Sequence, residues 1–297
     1  MEFTINLSGR PFNLDYTLNS GQVFRWQKRG QEWEGIVLDS FVKIRQEADL
    51  LFCKVESGEV NSSYISRYLR LDEDLSFILG NIARDETIVG AIRRFYGLRL
   101  IRQDPWECLI SFILATNANI QRISKMIDSL CKRYGKPLQT LEGEKNSFPT
   151  PETLSNAKEE ELRKLGLGYR ARYIVSVSKS IASGIFSFEE LTEMSYLDAR
   201  DSILREFERK KILPGVGNKV ADCVLLFSLG KDEAFPIDVW ILKAIKAYYQ
   251  DICKDVIQSG KLSNKQYIKL SDIMRKYFGK YAGYAQQYLY VLSRSEL

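Results

Sequence analysis

The stretch LPGVGNKVADC, residues 213–223, decides how the second half of this chain is interpreted. Gly215 and Gly217 are separated by one residue, which allows a tight turn whose backbone N–H groups stay uncovered. The helix that follows adds its own unpaired N-terminal amides, so the turn and the helix together form a cradle for a phosphate group. We therefore predict two helices joined by this hairpin, over about residues 196–229, that hold a nucleic-acid backbone. The alternative is that LPGVG only connects two helices.

Lys219 lies two residues after the hairpin, in the first turn of the second helix. A cation there opposes the helix dipole, and the neutral amine is the form that attacks carbon, so this position favours a nucleophile. Asp238 follows 19 residues later, within FPIDVW at residues 235–240. It is a natural helix N-cap, and its carboxylate could also stabilise a positive charge that develops on a sugar. The alternatives are a lysine that only contacts phosphate or solvent and an aspartate that only caps its helix.

Histidine is absent from the 297 residues, which excludes several kinds of active site. The chain has no Ser-His-Asp or Cys-His catalytic group and no histidine ligand for zinc. Its five cysteines are widely spaced without a C-x-x-C pair, which excludes a typical iron–sulfur cluster, a Cys₄ zinc site and a dense disulfide framework. The formal net charge of +5 permits a polyanionic partner without requiring one.

The pattern of the chain changes from strands to helical spacing at about Tyr64. Residues 1–60 indicate strands and turns, with a hairpin around Asp39-Ser40. Asp104-Pro105 suits an N-cap followed by the first position of a helix, and helical patterns dominate the rest of the chain. We predict a β-containing N-terminal domain, residues 1–100, followed by an all-helical domain, residues 101–297.

The helical part also contains a predicted loop. Residues 135–151 are rich in Gly, Lys, Ser and Pro, which is typical of a loop. TPETLSNAKEEELRKLGLG, residues 150–168, predicts one helix that ends at Gly166 and Gly168. Further helices are expected at about 170–183, 196–210, 218–229, 239–249, 265–277 and 281–292.

The sequence predicts no signal peptide and no membrane span. The first residues contain no apolar run after a basic region, and no window of 18 uncharged apolar residues exists. An odd number of widely spaced cysteines suits a reducing compartment. We expect a cytoplasmic, nucleoid-associated protein of a prokaryote.

LPGVGNKVADC followed by FPIDVW resembles the helix-hairpin-helix DNA glycosylases with the Gly/Pro…Asp signature. Other segments narrow the resemblance to the 8-oxoguanine DNA glycosylase/AP lyase family, and they cover nearly the whole chain in the family's order. The resemblance implies an α+β fold in which an N-terminal antiparallel β-sheet domain packs on an all-helical helix-hairpin-helix body. These segments are SGQVFRW at 20–26, QDPWECLISFI at 103–113, TNANIQRI at 116–123, LRKLGLGYRARYI at 162–174 and YAGYAQQYLY at 281–290.

The resemblance also implies a mechanism and a substrate. Lys219 would attack C1′ of the damaged nucleotide, displace the base and form a Schiff base that permits strand cleavage by β-elimination. Asp238 would stabilise the oxocarbenium-like state. The expected substrate is double-stranded DNA that contains 8-oxoguanine, with cytosine as the expected opposite base, and the damaged nucleotide would be flipped out of the stack.

Four residues would form the pocket for the flipped base. By resemblance, the backbone carbonyl of Gly21 pairs with N7–H, a donor that 8-oxoguanine has and guanine lacks. Gln286 would recognise the Watson–Crick edge. Tyr290, where the family often has Phe, would stack on one face of the base and Cys223 would cover the other. Without the resemblance, Cys223 and Tyr290 would be interpreted as core residues and Gly21 as a turn.

A further set of residues matches DNA-contacting positions of the family. Residues of this set would fill the emptied stack, contact the orphaned cytosine or hold the phosphates. Ala118 replaces an Asn usual in the family, which predicts looser recognition of the orphaned base, and Trp240 replaces a phosphate-contacting His of the animal enzymes. The set comprises Asn117, Arg122, Tyr169, Arg170, Gly215, Gly217, Val220 and Trp240.

The resemblance implies no required cofactor. The family hairpin often binds a monovalent ion or calcium through backbone carbonyls, which here would be those of Lys211, Leu213 and Val216. The enzyme is expected to act as a monomer.

Two alternatives stay open at this point. The chain could be a related glycosylase for alkylated bases or oxidised pyrimidines, although the alkylpurine enzymes usually lack the lysine and the pyrimidine enzymes usually carry an iron–sulfur motif. It could also be a DNA-binding module without catalysis, which predicts salt-sensitive binding and no base release.

Overall fold

The computed structural model describes residues 1–141, 143–208, 212–257 and 262–296, apart from the side chains of residues 207 and 208. Its N-terminal part contains a five-stranded antiparallel sheet in the order β1-β5-β4-β3-β2. The turn at residues 38–39 joins β3 and β4, which confirms the hairpin predicted there. The strands are β1 (Glu2–Asn6), β2 (Trp26–Arg29), β3 (Glu32–Val37), β4 (Ser40–Glu47) and β5 (Leu50–Ser57).

Four helices accompany the sheet, and each begins after an Asn or Asp whose side chain accepts a backbone N–H of the first turn. Such N-caps satisfy amides that have no partner within the helix. The first of these helices lies in the region where the sequence indicated only strands and turns. They are α1 (Leu14–Leu18), α2 (Ser62–Tyr68), α3 (Leu75–Ile82) and α4 (Glu86–Arg94).

The rest of the described chain is mainly helical. Helix α5 begins as predicted, with Pro105 in its first turn and the Asp104 carboxylate accepting the Glu107 N–H at 2.8 Å. Helices α11 and α12 flank the LPGVG hairpin. The helices are α5 (Pro105–Leu114), α6 (Ile120–Tyr134), α7 (Pro151–Ser155), α8 (Glu159–Leu162), α9 (Ala171–Ala182), α10 (Glu189–Glu193), α11 (Tyr196–Glu208), α12 (Asn218–Phe227), α13 (Val239–Tyr248), α14 (Gln250–Cys253), α15 (Asn264–Phe278) and α16 (Ala282–Glu296).

Two predictions in the helical part are wrong. The expected loop at 135–151 contains a small hairpin of β6 (Pro137–Thr140) and β7 (Gly143–Asn146). The single helix expected at 150–168 is broken, because Lys158 has an extended backbone between α7 and α8. A wide helical turn at Arg163–Leu167 and a 3-10 turn at Gly168–Arg170 follow. Gly166, with φ of +90°, kinks the chain inside the first of these turns.

The described residues form two hydrophobic cores. The smaller core lies under the sheet, and the larger core holds the helical body together with α3 and α4. The predicted division of the chain at residue 100 stays a prediction. Within the described ranges no helix is long and apolar enough to cross a bilayer.

A buried arginine connects the sheet region to the helical body. Arg70 is fully buried, and its guanidinium donates to the Asp232 carboxylate at 2.6 Å and to the Leu226 carbonyl at 2.9 Å. The fully buried Arg99 donates to the carbonyls of Arg70 and Pro11. The bonds of Arg70 fix the N-terminal segment against the end of α12, and those of Arg99 hold Arg70 within the N-terminal part.

Candidate active site

The hairpin between α11 and α12 is a tight turn with uncovered amides. Val216 donates its backbone N–H to the Leu213 carbonyl at 3.2 Å. Gly215 has φ of +87°, and a Cβ at this position would lie 2.7 Å from the ring of Tyr173. Gly217 is the N-cap of α12, and no side chain in the described part of the chain caps this helix end. The first-turn amides are therefore available to bind an anion.

Lys219 lies in the first turn of α12 and is half-buried. Its Nζ lies 4.5 Å from the centre of the Phe112 ring. Cys223, one turn further along the helix, is 2% exposed. Burial raises the pKa of the Cys223 thiol to about 12, although the neighbouring lysine acts in the opposite direction. The amine therefore lies beside an aromatic ring and a neutral thiol.

Asp238 is the N-cap of α13. Its Oδ1 accepts the backbone N–H groups of Trp240 at 2.9 Å and of Ile241 at 2.8 Å, so the predicted cap is present. Burial raises the pKa of this carboxyl, while the two N–H groups and the charges of Lys219 and Arg294 oppose the shift. The carboxylate is thus within electrostatic reach of the lysine predicted to be the nucleophile.

Gly21 and Tyr290 meet next to these two residues. Gly21 has φ of +78°, and a Cβ on it would lie 3.0 Å from Tyr290 Oη and 3.3 Å from Arg294 Nη1. Burial raises the pKa of the Tyr290 hydroxyl to about 12, and the charges of Asp238 and Arg294 also act on it. The glycine of the N-terminal region and the tyrosine of the last helix therefore border the same space as the catalytic candidates.

Gln286 brings a buried polar group to this region. Gln286 is 5% exposed, and its Nε2 donates to the Pro236 carbonyl at 3.1 Å. Its Oε1 is buried and has no hydrogen-bond partner among the described residues. The neighbouring Gln287 donates to the Ser20 carbonyl at 2.9 Å and so fixes the segment before Gly21. A buried acceptor without a donor is rare and fits a pocket that receives a ligand.

A second cluster unites the residues predicted to fill the emptied stack. Asn117 has φ of +53° and donates to the Tyr169 hydroxyl at 3.2 Å. The Arg170 guanidinium lies over the Tyr169 ring at 4.6 Å and donates to the Thr116 carbonyl. Arg122 is exposed, and its charge acts on Arg170. The structure therefore brings Asn117, Tyr169 and Arg170 together.

Arg170 differs from the others in this cluster because it is 2% exposed and already bonded to a carbonyl. Contact with an orphaned cytosine would require its guanidinium to leave that carbonyl, so this role stays a prediction. Tyr169 is 41% exposed, and its hydroxyl donates to the same Thr116 carbonyl only at 3.4 Å. Tyr173 links the cluster to the hairpin, since its ring lies 6.0 Å from that of Tyr169 and also covers Gly215.

Trp240 and Val220 contribute differently to the surface near the site. Trp240 is half-buried, with Lys243 Nζ 4.2 Å above its ring and its carbonyl accepting the Ser293 hydroxyl at 3.0 Å. Val220 is 4% exposed, so only its backbone amide is positioned to serve a phosphate.

The proposed ion site is only partly described. Leu213 and Val216 are both 1% exposed, and Lys211 lies outside the described residues. No group of three or more His, Cys, Asp or Glu side chains in the described ranges could hold a metal. An ion at the hairpin carbonyls stays a prediction.

Sequence reasoning missed three residues at this site. Arg294 lies four positions after Tyr290 and eight after Gln286, so helical spacing could have placed it on the same face. Phe112 lies in an apolar helix, and Tyr173 follows a surface-like segment, so neither carried a signal.

Comparison with known proteins shows the family. The model of the 8-oxoguanine DNA glycosylase N-terminal domain matches residues 4–109, and the model of HhH-GPD superfamily base excision DNA repair proteins matches residues 110–264. The N-glycosylase/DNA lyase of Saccharomyces cerevisiae is 33% identical over 93% of this chain and 82% of the relative. The N-glycosylase/DNA lyase of Arabidopsis thaliana is 30% identical over 97% of this chain and 79% of the relative.

A solved structure agrees with this assignment. The Clostridium acetobutylicum 8-oxoguanine glycosylase/lyase, in complex with DNA containing cytosine opposite the lesion, matches with a TM-score of 0.84 and 28% identity, over 98% of this chain and 93% of that chain. The predicted α+β fold, family and enzyme class are confirmed. The chain belongs to the 8-oxoguanine DNA glycosylase/lyase family of the HhH-GPD superfamily.

Proposed function

We propose that this enzyme excises 8-oxoguanine from duplex DNA, opposite cytosine, through a Schiff base on Lys219, and then cleaves the strand by β-elimination. The observation that carries the proposal is the convergence of two sets of residues. Lys219 and Asp238 lie within electrostatic reach of each other, and Gly21 and Tyr290 border the same space. The nucleophile and the base pocket are thus parts of one site.

The first chemical step exchanges one bond for another at C1′. The neutral amine of Lys219 forms a bond to C1′ while the bond from C1′ to the base breaks. The base leaves with the electron pair and takes up the proton that the lysine nitrogen loses. Asp238 stabilises the positive charge that develops on the sugar, and its partial burial strengthens this interaction.

The second step cleaves the strand. The C1′–O4′ bond of the sugar breaks, O4′ takes up a proton from solvent, and the nitrogen lone pair forms the C=N bond of the Schiff base between Lys219 and C1′. Loss of a proton from C2′ then expels the 3′-phosphate by β-elimination. All groups required for both steps come from the chain and the DNA, so we propose that no cofactor takes part.

Recognition of the lesion rests on one backbone carbonyl and one side-chain oxygen. The Gly21 carbonyl accepts the N7–H of 8-oxoguanine, whereas guanine would present a lone pair to it. The unpartnered Oε1 of Gln286 accepts an N–H of the Watson–Crick edge. A buried acceptor without a donor costs about 1–3 kcal/mol of free energy, and the N–H of the bound base removes this cost.

Cys223 and Tyr290 complete the pocket. Both groups are uncharged near neutral pH, because burial raises the pKa of each to about 12. Uncharged faces suit a flat aromatic base. The amides after Gly217 would hold a phosphate, and Asn117 and Tyr169 would occupy the space that the flipped base leaves.

We also propose that the enzyme acts as a monomer in a reducing compartment. All five cysteines are buried free thiols, and reducing conditions preserve such thiols.

A lesion panel under single-turnover conditions tests the proposed substrate. Duplexes would carry 8-oxoguanine opposite cytosine, 8-oxoguanine opposite adenine, 3-methyladenine opposite thymine, or no lesion. We expect the fastest base release from the first duplex and none from undamaged DNA. Equal release of 3-methyladenine and 8-oxoguanine would instead support an alkylpurine glycosylase, and salt-sensitive binding without any release would support a passive DNA-binding module.

A further inference from the structure

Asp222 is a fully buried carboxylate on the helix of the nucleophile. It lies three residues after Lys219 and has no exposed surface. Its Oδ1 accepts the Tyr196 hydroxyl at 2.8 Å and Arg200 Nε at 2.9 Å, and its Oδ2 accepts the Tyr267 hydroxyl at 2.7 Å. Burying a charge is costly unless it is paired and hydrogen-bonded, so the three donors together hold this part of α12 in place.

Tyr267 makes a second hydrogen bond that reaches the other half of the site. Its hydroxyl accepts the backbone N–H of Ile237 at 3.1 Å, and Ile237 directly precedes Asp238. Tyr267 itself lies on α15 and is 7% exposed. A single hydroxyl thus joins the helix that carries Lys219 to the segment that carries Asp238.

The same network also reaches the residue before the nucleophile. Arg200 uses its Nη2 to donate to Asn218 Oδ1 at 2.6 Å while its Nε bonds Asp222. Both Arg200 and Asn218 are buried. Lys219 is therefore flanked by two anchored residues, and one of them is connected through Tyr267 to the neighbour of Asp238.

We propose that Tyr267 is a positioning residue that sets the relative placement of Lys219 and Asp238. The inference rests on the proposed function, because it assumes that these two residues carry the chemistry. Removal of the hydroxyl leaves the Ile237 N–H without its acceptor and lets the Asp238 segment shift relative to α12. Displacement of a catalytic group by about 1 Å can lower a rate roughly 100-fold without affecting substrate binding.

Tyr196 provides a matched control within the same network. Tyr196 is 2% exposed, and its hydroxyl also donates to the Asp222 carboxylate. Among the described residues, this hydroxyl is not bonded to the segment of Asp238. Tyr267→Phe and Tyr196→Phe each remove one O–H group that bonds the same carboxylate. Only Tyr267→Phe breaks the link between the two halves of the site.

The experiment measures three quantities for wild type and both variants. These are the melting temperature, the Kd for a duplex with a tetrahydrofuran abasic analogue, and the single-turnover rate of base release from 8-oxoguanine opposite cytosine. We expect Tyr267→Phe to lower the rate roughly 10- to 100-fold with a Kd within about twofold of wild type. Tyr196→Phe, at a similar loss of melting temperature, should lower the rate by no more than about threefold.

Equal rate losses in the two variants, or an unchanged rate in Tyr267→Phe, would overturn the positioning role alone. A wild-type protein that releases no 8-oxoguanine would overturn the proposed function and this inference with it. Hydrogen exchange at the Ile237 amide gives a readout that needs no variant. We expect slow exchange in the wild-type protein, and exchange at the rate of an unprotected amide would also overturn the inference.

Discussion

At the scale of single residues, Gly21 has a left-handed backbone conformation, and the side chains of Tyr290 and Arg294 leave little space for a Cβ. We predict that Gly21→Ala lowers the kcat/KM for 8-oxoguanine release at least about tenfold. The added Cβ would lie 3.0 Å from Tyr290 Oη and 3.3 Å from Arg294 Nη1, so the pocket wall must move. Single-turnover kinetics at increasing enzyme concentration would measure the loss.

Gly9 provides the control for this prediction. Its φ of +74° is close to the +78° of Gly21, but a Cβ there would meet no atom within 4 Å. Gly9→Ala should therefore incur a similar backbone cost of about 1–2 kcal/mol while the excision rate stays that of wild type. Equal excision rates in the two variants would contradict the assignment of Gly21 to the pocket.

The charged carboxylate of Asp238 is predicted to support catalysis and to lower the stability of the folded protein. Burial raises the pKa of its carboxyl above the ordinary value, so folding is opposed by its charge at neutral pH. Asp238→Asn keeps an N-cap side chain and removes that charge. We expect a higher melting temperature at pH 7, with base release at least about 100-fold slower.

The pH dependence of this variant follows from the same shift. A group whose folded pKa is raised gives stability that is present at low pH and lost as pH rises through the folded pKa. The stability advantage of Asp238→Asn should therefore vanish as pH falls below the ordinary range of an aspartate. As pH is lowered, the wild-type rate should begin to decline at a pH still above that range, because the raised pKa of Asp238 means that its carboxylate becomes protonated there. A melting temperature of Asp238→Asn below that of wild type at pH 7 would contradict this account.

Local sequence was sufficient to predict the hairpin before Lys219 and the helix cap at Asp238, because both are short-range features, whereas the catalytic roles of the two residues stay predictions. Arg294 and Tyr267 were not predicted, because their relation to the site depends on how α15 and α16 pack against α12 and α13. The partnerless Oε1 of Gln286 is likewise a property of the packed structure.

At the scale of elements, the LPGVG hairpin predicts two different effects from two similar substitutions. A Cβ at Gly215 would lie 2.7 Å from Tyr173, whereas a Cβ at Gly217 would meet no atom within 4 Å and φ there is −78°. Gly215→Ala should lower the melting temperature. Gly217→Ala should keep the melting temperature but weaken DNA binding, because its methyl group lies where the phosphate approaches the amides.

Fluorescence anisotropy with damaged and undamaged duplexes, together with thermal unfolding, would check this prediction. The affinity loss of Gly217→Ala should be the same for both duplexes, since phosphate contacts carry no information on the base. A loss confined to the damaged duplex would show that the hairpin does not act on the backbone.

Helices and strands could be predicted from the sequence where residues at their ends favour a cap or a turn. Asp104-Pro105 marked the start of α5, and the structure begins that helix at Pro105. The hairpin of β6 and β7 was missed because its strands have only four residues each and little apolar alternation. The break between α7 and α8 was missed because the sequence there contains no Gly or Pro.

At the scale of the whole molecule, the two cores are joined by buried charges. Arg70 is fully buried and pairs with Asp232, whose side chain is 16% exposed. Asp232→Ala would leave the buried Arg70 guanidinium without this carboxylate partner. We therefore expect a loss of about 3 kcal/mol in the free energy of unfolding. Urea denaturation would measure it.

Asp72→Ala is the matched control, since Asp72 pairs with Arg102 while 46% of its side chain is exposed. A surface pair of this kind contributes at most about 1 kcal/mol. If both variants lost the same stability, the buried arginine would not be what holds the sheet region to the helical body.

The overall α+β architecture could be predicted because alternating and helical patterns occupy different parts of the chain. The contact between these parts could not. It depends on Arg70, whose guanidinium bonds Asp232 and Leu226, while Arg99 bonds the Arg70 carbonyl within the N-terminal part. Both are charged residues that composition places at the surface and the structure buries completely. Their burial becomes favourable only once carbonyls and carboxylates from distant segments surround them.

The proposed reaction requires a covalent bond between Lys219 and the sugar of an 8-oxoguanine nucleotide. Borohydride reduction during turnover would trap this Schiff base on a duplex with one 8-oxoguanine opposite cytosine. Lys219→Gln is the test variant, and Lys246→Gln, on the exposed face of α13, is the control. We predict a covalent protein–DNA band with wild type and Lys246→Gln and none with Lys219→Gln. A band of wild-type intensity with Lys219→Gln, or base release by wild type without any band, would show that Lys219 is not the Schiff-base nucleophile.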